Sequence, residues 1–111
     1  MAITTNSLDR IRSGSTCYIE LQKGPFHGEF WLDDSLNISE DKWEEYKLTE
    51  LFRDTVPEFD YYGISLVEGY TWAKIISKAK DNPMWQEFIE EISPWANDSF
   101  KESMVFSICG M

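Results

Sequence analysis

The first clear pattern in the chain is an alternation of side chains over residues 16–22, "TCYIELQ". Cys17, Ile19 and Leu21 fall on one side of this run and Tyr18, Glu20 and Gln22 on the other, which is typical of a half-buried β-strand. The next segment, "KGPFHG", contains two glycines and a proline and predicts a turn. A second alternation over residues 26–32, "FHGEFWL", predicts a partner strand, so that the two runs form a β-hairpin.

A helical period replaces the alternation over residues 40–53. Ser39 can cap the predicted helix, and Glu40 and Asp41 lie where the helix dipole favours negative charge. Trp43 and Tyr46 fall on a flank among glutamates, away from the apolar face. That apolar face carries Leu48, Leu51 and Phe52.

The second half of the chain predicts a strand, two helices and a final strand. Residues 61–67, "YYGISLV", alternate and place Tyr62, Ile64 and Leu66 on one face. A helix is predicted over residues 70–80, and another begins at Asn82-Pro83 and stops at Ser93-Pro94. Residues 103–109 are apolar on both faces, as in an interior strand. The two helices are predicted to pack on the sheet through Trp72, Ile75, Ile76, Trp85, Phe88, Ile89 and Ile92.

The predicted order of elements is ββαβααβ. Strands and helices are mixed without a regular βαβ alternation, which indicates an α+β fold with a mainly antiparallel four-stranded sheet covered by about three helices. With 111 residues, of which 42% are hydrophobic and 15% aromatic, the chain predicts one α+β domain over residues 1–111.

Cellular location is predicted from what the sequence does not contain. No apolar run approaches the roughly 20 residues that a membrane-spanning helix needs. The first residues, "MAITTNSLDRIRSGS", do not have the form of a secretion signal. We therefore expect a cytoplasmic protein in which Cys17 and Cys109 are free buried thiols.

Charge is the most unusual property of the chain. The net charge is −10, from 20 acidic and 10 basic side chains. Residues 29–60 hold eleven acidic and three basic residues, so most of the excess lies in less than a third of the chain. This balance argues against binding to nucleic acids, which need a basic patch, and against anionic membrane surfaces. It favours solubility or a basic protein partner.

The sequence predicts no catalytic site. His27 is the only histidine, and both cysteines lie in apolar strand patterns where thiols are usually packed and inert. A zinc site would need more ligands than one histidine and two distant cysteines. No glycine-rich phosphate loop is present, so we expect no cofactor.

One metal-binding alternative has a recognisable spacing. Six side chains with oxygen atoms follow the order of an EF-hand calcium loop: Asp33, Ser35, Asn37, Ser39, Asp41 and Glu44. Ile38 occupies the position where the sharp turn requires glycine, and a strand pattern precedes the loop instead of a helix. A polar loop that ends in a helix N-cap explains the same residues, and we predict no metal site.

The acidic segment "SEDKWEEY" has two interpretations. In the first, Trp43 and Tyr46 anchor a basic partner and the surrounding carboxylates steer it to the surface. In the second, the two aromatic residues cover an apolar patch, formed by the segment "VPEFDYY". The first interpretation predicts a partner-binding site composed of Asp33, Asp34, Glu40, Asp41, Trp43, Glu44, Glu45 and Tyr46.

In size, acidity and its "DDSLNISEDKWEEY" segment, the chain resembles the immunity proteins of bacterial toxin systems, in particular those of contact-dependent growth inhibition. The resemblance implies a one-to-one complex with a toxin domain, often a nuclease, whose cationic active site the acidic surface would cover. Two other classes stay open. A DNA mimic or regulatory adaptor would share the acidity, and a small hydrolase or metal-binding protein would need ligands that the chain does not supply.

Overall fold

The sheet determines the architecture. A computed structural model describes residues 4–5, 18–30 and 32–110. In the described part of the chain, all neighbouring strands pair antiparallel. Across the sheet the strands lie in the order β1 (Thr4–Thr5), β3 (Leu36–Ser39), β2 (Tyr18–Lys23), β5 (Val105–Cys109) and β4 (Ile64–Glu68).

The helices of the described residues are α1 (Glu40–Glu45), α2 (Leu48–Arg53), α3 (Gly69–Ala79) and α4 (Pro83–Glu102). The predicted α+β class and its antiparallel sheet are confirmed. The two-residue strand β1 extends the sheet, and the described helices number four where about three were predicted. No helix of the described residues is both long enough and apolar enough to cross a membrane.

The predicted second strand is wrong in position. Residues 26–30 and 32 form no strand, and the partner of β2 is Leu36–Ser39, with Ile19 opposite Ile38. The chain turns through Gly24 and Gly28, both with positive φ, and Phe30 is 51% exposed. An alternating pattern gives no strand here because no strand of the described residues pairs with the segment. Cys17, which we expected to be a free buried thiol, lies outside the described residues, as does Trp31 of the predicted second strand.

The predicted helix over residues 40–53 is two helices. The predicted cap is confirmed, since Ser39 Oγ accepts a hydrogen bond of 3.2 Å from the Lys42 backbone N–H. Lys47 adopts the left-handed conformation, with φ 53° and ψ 44°, and ends the first helix. The predicted apolar face of α2 is fully buried, as Leu48, Leu51 and Phe52.

The last helix does not stop at Ser93-Pro94 but continues to Glu102. Pro94 is exposed, so the ring meets solvent, although it removes one helical N–H donor. Beyond it, Ala96 and Ser99 are buried, and Trp95 and Phe100 each pack on Phe106 of β5. Tertiary packing therefore holds the helix past a residue that usually ends one.

The predicted core of the C-terminal helices is largely confirmed. Trp72, Ile75, Phe88, Ile89 and Ile92 are buried, whereas Ile76 is 42% exposed and Trp85 is half-buried. The five buried side chains share one hydrophobic cluster with sheet residues, and Trp85 packs against it, whereas Ile76 does not join it. The sheet residues of the cluster are Ile19, Leu21, Ile38, Val67, Phe106 and Ile108.

In strand β4, the face that carries Ile64 and Leu66 is directed to solvent, and the opposite face is buried. Ser65 and Val67 are buried, while Ile64 and Leu66 are 39% and 47% exposed. Two apolar side chains are therefore exposed to solvent at one edge of the sheet.

Candidate functional site

The predicted carboxylates occupy the surface around α1. Asp33 and Asp34 are exposed in the turn before β3, and Asp41, Glu44 and Glu45 are exposed on the helix. Glu40 is half-buried in the first helical turn. We call these six residues the acidic surface: Asp33, Asp34, Glu40, Asp41, Glu44 and Glu45.

Helix α4 holds both ends of this surface through indole groups. Trp85 Nε1 donates a hydrogen bond of 2.8 Å to the Tyr46 carbonyl, and Trp95 Nε1 donates one of 2.7 Å to the Asp34 carbonyl. The two tryptophans are ten residues apart in one helix, which corresponds to about 15 Å. The helix therefore acts as a rigid support that fixes the distance between the Asp33-Asp34 turn and the end of α1.

Carboxylates of α4 add negative charge beside the acidic surface. The pKa of the Tyr46 hydroxyl is raised by burial first, then by the charges of Glu87, Glu45 and Glu91 and by a hydrogen bond to Glu87. Glu87 is exposed, whereas Glu91 Oε2 accepts hydrogen bonds of 2.7 Å from the Thr4 backbone and hydroxyl. Sequence reasoning missed that these glutamates lie beside α1, because they belong to a helix distant from it in the chain.

The prediction that Trp43 and Tyr46 anchor a partner is wrong. Trp43 is 1% exposed and Tyr46 is 8% exposed. The Trp43 ring lies 5.5 Å from the Phe52 ring and 6.3 Å from the Phe59 ring, and its Nε1 donates to Thr49 Oγ1 at 2.6 Å. The alternative that these residues cover an apolar patch of "VPEFDYY" is therefore confirmed for Trp43, whereas Tyr46 is buried in the same hydrophobic core without a described contact to that segment.

The charge of the acidic surface is poorly compensated. Lys42 Nζ lies 3.8 Å from Glu45 Oε2 and 5.9 Å from the centre of the Tyr46 ring. Among the residues that the structure describes, no ion pair involves Asp33, Asp34, Asp41 or Glu44. Clustered carboxylates of this kind produce a negative potential that attracts cationic groups from solution.

The EF-hand spacing does not produce a calcium loop. Residues 36–39 form strand β3, so successive side chains point to opposite faces and cannot surround one ion. Ser35 and Asn37 are buried at 2% and 0% exposure. Within residues 4–5, 18–30 and 32–110, no group of three or more histidine, cysteine or acidic side chains is placed to hold a metal ion.

A polar layer lies on the sheet face opposite the helices, which sequence reasoning missed. Glu20 is 1% exposed, and its carboxyl oxygens accept hydrogen bonds of 3.0 Å from Gln22 Nε2 and the Leu32 backbone N–H. Gln22 Nε2 also donates to the Glu29 carbonyl at 2.7 Å. These bonds tie the loop of residues 24–35 to β2. Alternation alone suggested that Glu20 and Gln22 face solvent.

The one cysteine in the described residues, Cys109, is a buried free thiol in β5. Burial, and to a lesser extent the charge of Glu20, raises its pKa from 9.0 to about 12. At neutral pH the thiol is therefore protonated and a poor nucleophile. His27 is exposed in the loop after Gly24. This arrangement offers no activated nucleophile at Cys109.

We expect the Cys109 thiol to react about 100- to 1,000-fold more slowly with a disulfide reagent at about pH 8 in the folded protein than in urea, because each unit of raised pKa lowers the thiolate fraction tenfold. A Cys17→Ser variant isolates this thiol.

The raised pKa of Cys109 also contributes stability that is fully present below pH 9 and is lost as pH rises toward 12. Urea midpoints of the parent and of Cys109→Ala should converge over that interval. Rapid modification of the folded protein would show instead that the thiol is accessible.

Comparisons with protein-family models, with curated proteins and with solved structures found no significant match to this chain.

Proposed function

We propose that this protein is a bacterial, cytoplasmic immunity protein that binds a basic toxin domain through the acidic surface and blocks its active site without catalysis. One observation carries the proposal: the exposed carboxylates of Asp33, Asp34, Asp41 and Glu44 form no ion pair with another described residue, and Trp85 and Trp95 hold the two ends of their surface. A nuclease binds phosphates with lysine and arginine side chains, and carboxylates can occupy the same groups.

The burial of Trp43 and Tyr46 changes how the complex would be stabilised. Without aromatic anchors at this position, charge-assisted hydrogen bonds between carboxylates and lysine or arginine supply the contacts. Such an interface has fast association and a strong dependence on salt. Binding therefore depends on Glu44 and Glu45 rather than on Trp43.

The test measures the rate at which this protein associates with a candidate toxin domain. The candidate is the protein domain encoded by the reading frame adjacent to the gene. Glu44→Lys combined with Glu45→Lys is expected to slow association at least about tenfold at low salt. The effect should shrink at about 1 M salt, where the screening length falls to about 3 Å. Stopped-flow fluorescence measures both rates, and growth of cells that co-express the toxin domain reports neutralisation.

A matched control separates local charge from total charge. Asp81→Lys combined with Glu90→Lys changes the net charge equally, but both residues are exposed, neither belongs to the acidic surface, and Glu90 lines the groove between α3 and α4. This variant should associate nearly as fast as the parent. Equal slowing by both pairs would show that only the net charge matters, and a salt-independent rate would refute the proposed interface.

A further inference from the structure

Strand β4 forms an open edge of the sheet. It pairs with β5 on one side, from Ile64 opposite Cys109 to Glu68 opposite Val105. On the other side, no strand of the described residues pairs with it, and no further hydrogen bond is described for the backbone of Ile64 or Leu66. Sheet edges are usually protected by lysine, proline or a covering segment, and Ile64–Glu68 contains neither residue.

The exposed side chains of this edge are apolar and regularly spaced. Ile64 and Leu66 are 39% and 47% exposed, and Tyr70 at the start of α3 is 58% exposed. Because alternate residues of a strand point to one face, Ile64 and Leu66 present two neighbouring apolar positions beside the open backbone. An added strand could pair with the backbone and pack its own alternate side chains on these two residues.

A groove of about 310 Å³ runs beside the edge, lined by Ile64, Leu66, Tyr70, Pro57, Glu58 and Glu68, among others. Glu58 adopts a positive φ of 55°, a conformation that non-glycine residues rarely take. Neither Glu58 nor Glu68 forms an ion pair with another described residue. Lys74 Nζ, the cation nearest to Tyr70 in the described contacts, lies 5.4 Å from that ring.

We propose that the β4 edge binds an extended, basic segment of a partner protein as an added β-strand. Backbone hydrogen bonds would provide the affinity, Ile64 and Leu66 would select apolar side chains at alternate positions, and Glu58 and Glu68 would select lysine or arginine. Charge complementarity favours this occupant over a second copy. Two copies would each bring a net charge of −10 and the same two glutamates to the interface.

This site is distinct from the acidic surface, because none of the six residues of that surface lines the groove. The edge can bind a basic strand even if no toxin domain binds at α1. Its test therefore uses a synthetic probe rather than a toxin.

The probe is the peptide acetyl-Lys-Thr-Val-Thr-Val-Thr-Lys-amide, titrated into the full chain labelled with ¹⁵N. We expect chemical-shift changes centred on the amides of residues 64–68 and slower hydrogen exchange there. Leu66→Lys should weaken binding at least about tenfold. Ile76→Lys is the matched control, since Ile76 is similarly exposed on α3, and it should leave binding unchanged.

Two variants of the probe peptide separate the contribution of backbone hydrogen bonds from that of the lysine charges. N-methylation of the central amides removes backbone donors and should abolish binding, and replacement of both lysines by glutamate should weaken it at least about tenfold. Equal binding by the N-methylated peptide, or shift changes that avoid β4, would overturn the proposal. Sedimentation that shows a dimer of the parent chain, dissociated by Leu66→Lys, would assign the edge to a second copy and overturn it as well.

Discussion

Replacement of Trp43 by alanine is expected to lower the free energy of unfolding by about 3–5 kcal/mol. The side chain is 1% exposed and packs against both Phe52 and Phe59, so its removal leaves a cavity that rigid rings cannot fill. The substitution also removes the donor to Thr49 Oγ1. Because small domains have roughly 5–15 kcal/mol of total stability, this loss would use much of the margin. Urea denaturation monitored by circular dichroism measures it.

Two further variants identify the cause of the loss. Trp43→Phe keeps an aromatic ring in the stack but removes the indole donor, so its cost should be smaller than that of Trp43→Ala. Tyr62→Ala changes an aromatic side chain that is 78% exposed and should stay within about 0.5 kcal/mol of the parent. If Trp43→Ala behaved like Tyr62→Ala, the tryptophan would not belong to the core, and its interpretation as a partner anchor would return.

Replacement of Glu20 by alanine is expected to lower the free energy of unfolding by about 2–5 kcal/mol, since buried donors that lose an acceptor cost about 1–3 kcal/mol each. Glu20 accepts from Gln22 Nε2 and from the Leu32 N–H on the face of the sheet that the helices leave uncovered. The loss should therefore be accompanied by faster hydrogen exchange of the Leu32 amide. Urea denaturation and exchange measured on the same variant report the two effects.

Glu20→Gln provides the isosteric comparison. Glutamine keeps the shape but replaces one acceptor by a donor that would face an existing donor, so an intermediate cost is expected. Glu29→Gln changes an exposed side chain in the same loop and should have little effect. A Glu20→Ala variant with unchanged stability and unchanged exchange at Leu32 would show that the carboxyl group does not hold the loop.

Local sequence was sufficient for the features that depend on neighbouring residues. Ser39 and Asn82 cap their helices as predicted, because the side-chain oxygen reaches backbone N–H groups two or three residues ahead. The face of Leu48, Leu51 and Phe52 is buried because the helical period places the three side chains together. The α+β class follows from the mixed order of such elements.

Contacts distant in sequence decided the rest. In a continuous helix, Trp43 would lie on an exposed flank, but the left-handed Lys47 redirects the chain and Phe59 provides an apolar partner. Strand β3 forms at Leu36–Ser39 because β2 offers a matching edge there, and α4 continues past Pro94 because Trp95 and Phe100 pack on Phe106.

For the acidic surface too, some properties follow from the sequence and others only from the tertiary structure. The sequence alone determined its charge, because the carboxylates of Asp33, Asp34, Asp41, Glu44 and Glu45 are too costly to bury unpaired and lie exposed. The tertiary structure decided its shape, through the hydrogen bonds of Trp85 and Trp95. The tertiary structure also removed its aromatic anchors, because Trp43 and Tyr46 are buried. The physical reason is that an isolated charge is stabilised by water at any exposed position, whereas an aromatic ring is buried or exposed according to the partners that the fold brings to it.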